Sequence, residues 1–367
     1  MRRKISIALT ALLSAGLLAG CAGGSTPTSE PVNQPSENDD TQVVTEDVAE
    51  VEETTETEAD PDETTPMVGM SRFFDYTGWS TEGSADWIAL YEDFIAGSGT
   101  VSVGSETRHL TEGEYTLAEL VENMQTDLEN YGLPTTLSEI DYALIDCGKD
   151  GFPELALKLP FEDENGYQDA STDYVIIRPF QGALSVVTVE ETYYRAETSI
   201  NEYGYINYGG SGGATQYYSE NKVVTADGEL YSLYSETTYF GIGSLAFSPD
   251  VIYGDLASAV VPGDFEFGDK YEIHAYNFGY ESAFDPSTQP EEYSADLAKN
   301  RVYVFTDNDG NDAMPDEAYI RLCADNGISI VSSEDIKTMI GERCALYGAT
   351  EDILAGEEPD WDPLTAS

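Results

Sequence analysis

Between Ala22 and Pro66 the chain carries fourteen Asp or Glu side chains and no Lys or Arg, which confines folding to the residues that follow. A segment so charged and so poor in large apolar side chains cannot offset the cost of ordering its backbone, about 1–2 kcal/mol per residue. Repulsion between like charges extends it further. The expected organisation is a tether over residues 21–68 and one extracellular folded domain over 69–367.

Ahead of the tether, Met1-Arg2-Arg3-Lys4 makes a positive start and Ile5 to Leu18 is apolar, the layout of a secretory signal over residues 1–20. The apolar run is shorter than the roughly 20 residues a spanning helix needs. Its end, Leu18-Ala19-Gly20-Cys21, resembles the lipobox of bacterial lipoprotein signals. That resemblance implies lipidation of Cys21 and a place on the extracellular face of the cell membrane, since two or more acyl chains anchor a protein stably. The membrane, through Cys21, is therefore one expected partner.

Seventy acidic residues stand against sixteen Lys and Arg, for a net charge of −54. Phosphate recognition needs clustered Lys and Arg, so nucleic acid is not an expected partner. Bound divalent cations would compensate such charge, and an acidic surface that keeps a secreted chain soluble accounts for it equally. Beyond Cys21 the cysteines are Cys147, Cys323 and Cys344, an odd number without zinc-site spacing. Buried thiols and a Cys323–Cys344 pair both remain open. His109 and His274 are too few for a multi-histidine centre and read as core or surface imidazoles.

The domain opens with helix signals. Trp87, Leu90, Tyr91 and Phe94 share one face behind Ser84, and Leu117, Leu120, Val121, Met124, Leu128 and Tyr131 share another behind a Thr116/Glu119 capping pattern, with Gly132 and Pro134 as the stop. From Ile140 to about Phe305, runs rich in Val, Ile, Tyr and Thr alternate with turns such as Asp150-Gly151 and Asp227-Gly228. A last helix is expected from Ser333 to about Leu346. The fold class read from this pattern is α+β: two N-terminal helices, a meandering antiparallel sheet and a C-terminal helix.

One turn carries candidate chemistry. In Asp146-Cys147-Gly148-Lys149-Asp150-Gly151-Phe152-Pro153-Glu154-Leu155, carboxylates recur every fourth residue around glycines that permit a sharp bend. The run resembles the calcium loops of FG-GAP and VCBS-type repeats and the Asp-Gly-x-Pro-Glu-Leu hairpin of uncharacterised lipoproteins from Gram-positive gut bacteria. The resemblance implies Ca2+ ligation by Asp146, Asp150 and Glu154. Gly148 stands where the family places an oxygen donor and Lys149 adds a positive charge, so a plain β-turn fits the same residues. Asp307, Asp309 and Asn311 offer a second set of oxygens, although Asp312 and Ala318 stand where a helix-loop-helix calcium site needs Gly and Glu. A solvated loop is the competing reading.

Tyr205, Tyr208, Tyr217 and Tyr218 flank Gly209-Gly210-Ser211-Gly212-Gly213 and are candidates for an aromatic face that binds an extracellular glycan or peptide. Tyr is also a preferred strand residue. The function expected from these features is a lipid-anchored extracellular binding or interaction module with a structural Ca2+ ion. The alternative is a secreted hydrolase that uses Ser211, with His274 as base, or a pair of carboxylates.

Overall fold

Two sheets carry most of the chain in the computed structural model, which describes residues 73–76, 79, 84–104, 107, 109–130, 132, 135–163, 171–193, 195–241, 243–247, 260–278 and 301–364. The signal, Cys21, the tether, Tyr131 and Pro134 lie outside the described residues.

Helix α1 (Ser84–Ile95) is followed by strands β1 (Val101–Val103) and β2 (Gly113–Tyr115), helix α2 (Leu117–Asn130) and strand β3 (Thr135–Leu137). The capping box of α2 is formed: the Thr116 N–H donates to Glu119 Oε2 at 2.9 Å and the Glu119 N–H to Thr116 Oγ1 at 3.3 Å. Strands β4 (Asp141–Ile145), β5 (Glu154–Asp163), β6 (Ser171–Phe180) and β7 (Ala183–Tyr193) then pair in sequence as antiparallel neighbours. β1 joins the edge of β7 in parallel.

The second sheet holds β8 (Ala196–Ile200), β9 (Tyr205–Gly213), β10 (Gln216–Val224), β11 (Leu230–Tyr239), β12 (Glu272–Asn277), β13 (Arg301–Thr306) and β14 (Ser329–Ile330), with β13 and β14 parallel. Helices α3 (Glu317–Asp325), α4 (Ser333–Leu346) and α5 (Glu351–Leu354) and strand β15 (Asp362–Pro363) complete the chain.

This corrects the α+β expectation. The domain is mainly β, with fifteen strands among the described residues arranged in two mixed sheets rather than one antiparallel meander with flanking helices. The meander breaks between β7 and β8. There Thr198 turns back on the preceding strand, its Oγ1 donating to the Glu191 carbonyl at 2.7 Å while its N–H donates to Thr192 Oγ1 at 2.8 Å. The parallel pairs join segments distant in sequence, which alternation along a single run does not encode. Gly209 to Gly213 lie in β9, where a Cβ on Gly210 would come within 2.4 Å of the Arg195 carbonyl oxygen.

The first sheet is covered on both faces, which explains the near-continuous apolar run of β6. On one face Leu155, Leu157, Leu159, Val175 and Ile177 pack with Tyr91, Phe94, Leu120, Met124 and Leu128 of the two leading helices. Tyr91 fixes α1 to the sheet by donating to the Pro153 carbonyl at 3.0 Å. On the other face Ala143, Ile145, Cys147, Ala156 and Ile176 meet Ile200, Ile206 and Val224 of the second sheet. Lys222 of β10 bonds Glu190 of β7 at 3.0 Å across that contact.

Residues 353–364 strap the two sheets together. The Asn201 amide donates to the Ile353 carbonyl at 2.6 Å, the Glu202 N–H to Glu357 at 2.8 Å and the Leu364 N–H to Ile140 at 2.7 Å. Cys147, Cys323 and Cys344 are free and buried. Among the described residues no helix is long and apolar enough to cross a membrane.

Candidate functional site

Each carboxylate of the Asp146–Glu154 turn gives one oxygen to the turn's own backbone. Asp146 Oδ1 accepts from the Gly151 N–H at 2.9 Å, and Asp150 Oδ1 accepts from Phe152 at 2.8 Å. Glu154 turns into the core, fully buried, where Oε2 accepts from the Cys147 N–H at 2.9 Å. Burial pushes its carboxyl up to about 8, against the opposing effects of that hydrogen bond and of Arg178, so it is mainly protonated at neutral pH. Asp146, Asp150 and Glu154 do not bring ligand atoms within 4.8 Å of one another. The turn instead ties the sheets: the Asp146 and Gly148 N–H groups donate to Glu202 and Tyr203, and Lys149 reaches Asp352 at 3.3 Å.

Asp307 likewise serves its own loop, with Oδ1 accepting from the N–H groups of Asp309 at 3.0 Å and Asn311 at 2.9 Å. Asp309 and Asn311 are exposed, and Asp312 leaves the loop to bond Ser333 at the start of α4. The tyrosines divide between the two faces of the second sheet. Tyr208 and Tyr218 sit together with ring centroids 5.7 Å apart, while Tyr205 belongs to the opposite face, where its hydroxyl donates to Asn221. Tyr217, 48 % exposed, shares that opposite face by alternation with Tyr218.

Ser211 and His274 lie in one cross-strand row that runs Ser211, Tyr217, Thr238, His274. Three strand spacings separate them by roughly 14 Å. Ser211 is bonded within its own strand to the Gly213 carbonyl at 2.7 Å, and His274 to Glu236 at 3.0 Å. Neither is placed to act on the other.

A different group of side chains does converge. Asp173 and Glu191 are directly opposed on β6 and β7 and point to the helix-covered face, in phase with Val175 and Val189. His109 enters from the β1–β2 connection in a left-handed conformation, φ 64°, unusual for a side-chain-bearing residue. Its side chain is 4 % exposed, with Nδ1 2.6 Å from Asp127 Oδ2 on α2 and Nε2 facing Asp173 and Glu191. Burial acts to lower the imidazole pKa, but the Glu191, Asp173 and Asp127 carboxylates outweigh it and push it up to about 9. Among the described residues these three, His109, Asp173 and Glu191, are the one set of His, Cys, Asp or Glu ligand atoms lying within 4.8 Å of one another.

The sequence reading missed this group because its members are spread from residue 109 to 191 with no motif spacing. One signal was present. Asp173 falls on the same phase of its strand as Val175, on the core side, where a carboxylate needs a reason.

A separate cleft of about 670 Å3 opens on the second sheet between the β10–β11 turn and the α4–α5 connection. Val223 and Ile353 contribute apolar surface, Tyr231 and Tyr347 an aromatic wall, Asp227 a carboxylate and Leu346 an exposed apolar edge. Tyr347 is stacked on Tyr231 with centroids 4.2 Å apart, and the Arg343 guanidinium lies 4.6 Å from the same ring.

No protein-family model, curated protein or solved structure matches this chain.

Proposed function

We propose that this protein is a lipid-anchored extracellular binding module, held at the membrane by Cys21 and the acidic tether, that takes a cationic peptide segment into the cleft beside Asp227. The observation that carries the reading is the cleft itself, which falls within the roughly 300–1,000 Å3 of ligand pockets and joins apolar floor, aromatic wall and one lining carboxylate. A peptide is favoured over a glycan because sugar stacking needs an open ring face, and Tyr347 already meets Tyr231 and Arg343. The net charge of −54 favours a cationic partner over long range.

Two measurements test it. Titration of the full chain with Lys-containing peptides, neutral peptides and oligosaccharides is expected to give binding by the first group, weakened at least tenfold by Asp227→Asn and by added salt. Binding of oligosaccharides alone, or peptide binding indifferent to Asp227→Asn, would refute the peptide. Labelling of growing cells with a radioactive fatty acid is expected to mark the wild type and not Cys21→Ala; label on both would refute the anchor.

A further inference from the structure

The side chains around His109 have the parts of a metal centre. Nε2 of His109 is buried and makes no hydrogen bond, and it stands 3.6 Å from Glu191 Oε1 and 4.0 Å from Asp173 Oδ2. Such separations are too long for hydrogen bonds. They suit two ligands of a common ion, because atoms each about 2.0–2.2 Å from one metal stand roughly 3–4 Å apart when they are neighbours in its coordination shell.

The surrounding contacts orient the ligands in the manner of known metal sites. Asp127 stands 2.6 Å from Nδ1 and holds a proton there, so an ion that displaces the proton on Nε2 meets a lone pair on the side of the two carboxylates. Ser171 Oγ donates to Asp173 Oδ1 at 2.8 Å, which leaves Oδ2 as the oxygen on the His109 side. The direct opposition of Asp173 and Glu191 in the β6–β7 ladder holds both on rigid backbone.

We propose that His109 Nε2, Asp173 Oδ2 and Glu191 Oε1 bind one first-row divalent transition ion, of which Zn2+ and Mn2+ are representative, with Asp127 orienting the imidazole. One nitrogen with two carboxylates suits such ions, whereas Ca2+ and Mg2+ take all-oxygen sets. The site is built from β6, β7, α2 and the β1–β2 connection, none of which lines the cleft. It goes beyond the peptide-binding reading, and either can fail without the other.

The test uses the full chain, stripped with a chelator and then equilibrated with Zn2+, Mn2+ or Ca2+. Elemental analysis is expected to find one equivalent of Zn2+ or Mn2+. At about 100 times the dissociation constant the ion is expected to raise the unfolding midpoint by roughly 5 °C, with no such rise for Ca2+. Asp127→Asn is expected to weaken binding about 10- to 100-fold, and His109→Gln at least as much. If His109→Gln does not fold, X-ray absorption of the Zn2+-loaded wild type decides, with imidazole nitrogen and carboxylate oxygen expected around the metal. No tightly bound ion, unchanged affinity in folded His109→Gln, or a shell of sulfur or of oxygen alone would overturn the proposal.

Discussion

The carboxylate of Glu154 on β5 reaches back across the turn to the N–H of Cys147, 2.9 Å from Oε2, and its other oxygen, Oε1, is buried with no hydrogen-bond partner. The turn that resembles a calcium loop therefore closes on a buried acid. Its pKa of about 8 when folded lies well above the value near 4.3 of an unfolded Glu. Between those limits the native state holds a proton that the unfolded state releases, so this residue makes stability fall as pH rises from about 4.5 to 8. Glu154→Gln is expected to flatten that slope, with a difference on the order of a few kcal/mol across the window. Urea unfolding of both proteins at pH 5 and pH 8 measures it, and parallel slopes would count against the buried acid.

Gly148 and Gly151 both adopt left-handed backbone, φ 74° and 82°, but only Gly148 is pressed against a neighbour: a Cβ there would lie 2.4 Å from the Ala226 nitrogen. Gly151→Ala is expected to cost about 1 kcal/mol from conformation alone. Gly148→Ala adds a backbone clash and is expected to cost ~3 kcal/mol or more. Equal losses in denaturant melts would mean that the turn does not press on the second sheet.

Lys222 and Glu190 join the sheets through a pair that is 22 % and 9 % exposed at the side chains. Lys222→Met leaves Glu190 without its cation and is expected to destabilise by about 2–4 kcal/mol, while Lys222→Met with Glu190→Gln recovers a large part of the loss. A double-mutant cycle by thermal unfolding gives the coupling, and a value near zero would remove the pair from the account of sheet packing.

Burial raises all three described thiols, Cys323 to about 12. In a chain carrying Cys21→Ser, a thiol reagent at pH 8 is expected to leave Cys147, Cys323 and Cys344 unmodified in the native state and to label all three in guanidinium. A rapidly labelled native thiol would contradict the packing at that position.

Sequence and structure agree best where the determinants are local. The faces of α1 and α2, the Thr116/Glu119 cap and most strands from β4 to β11 follow from periodicity and turn residues within a few positions of each other. Lost from such a reading are pairings made at a distance: β1 against β7, β13 against β14 and the division into two sheets. The β-rich class was missed for the same reason, since short strands such as β1, β3 and β15 have two or three residues each and become strands only through their partners. Side-chain direction was equally hidden. Glu154 has the position of an ion ligand in the sequence and of a core residue in the fold, and His109 finds its carboxylates only after β6 and β7 pair.

The strap formed by residues 353–364 also has a bearing on when this fold can form. Strand β15 covers the outer edge of β4, Trp361 packs beside Tyr174, and the carbonyls of Ile353 and Glu357 receive the Asn201 and Glu202 donors. A growing chain that lacks these residues carries an open edge strand and two sheets without this shared strap. Such an intermediate is the form most exposed to edge-to-edge association. Complete folding therefore waits on the arrival of residues 353–364, and loss of that short strip would be felt by both sheets at once.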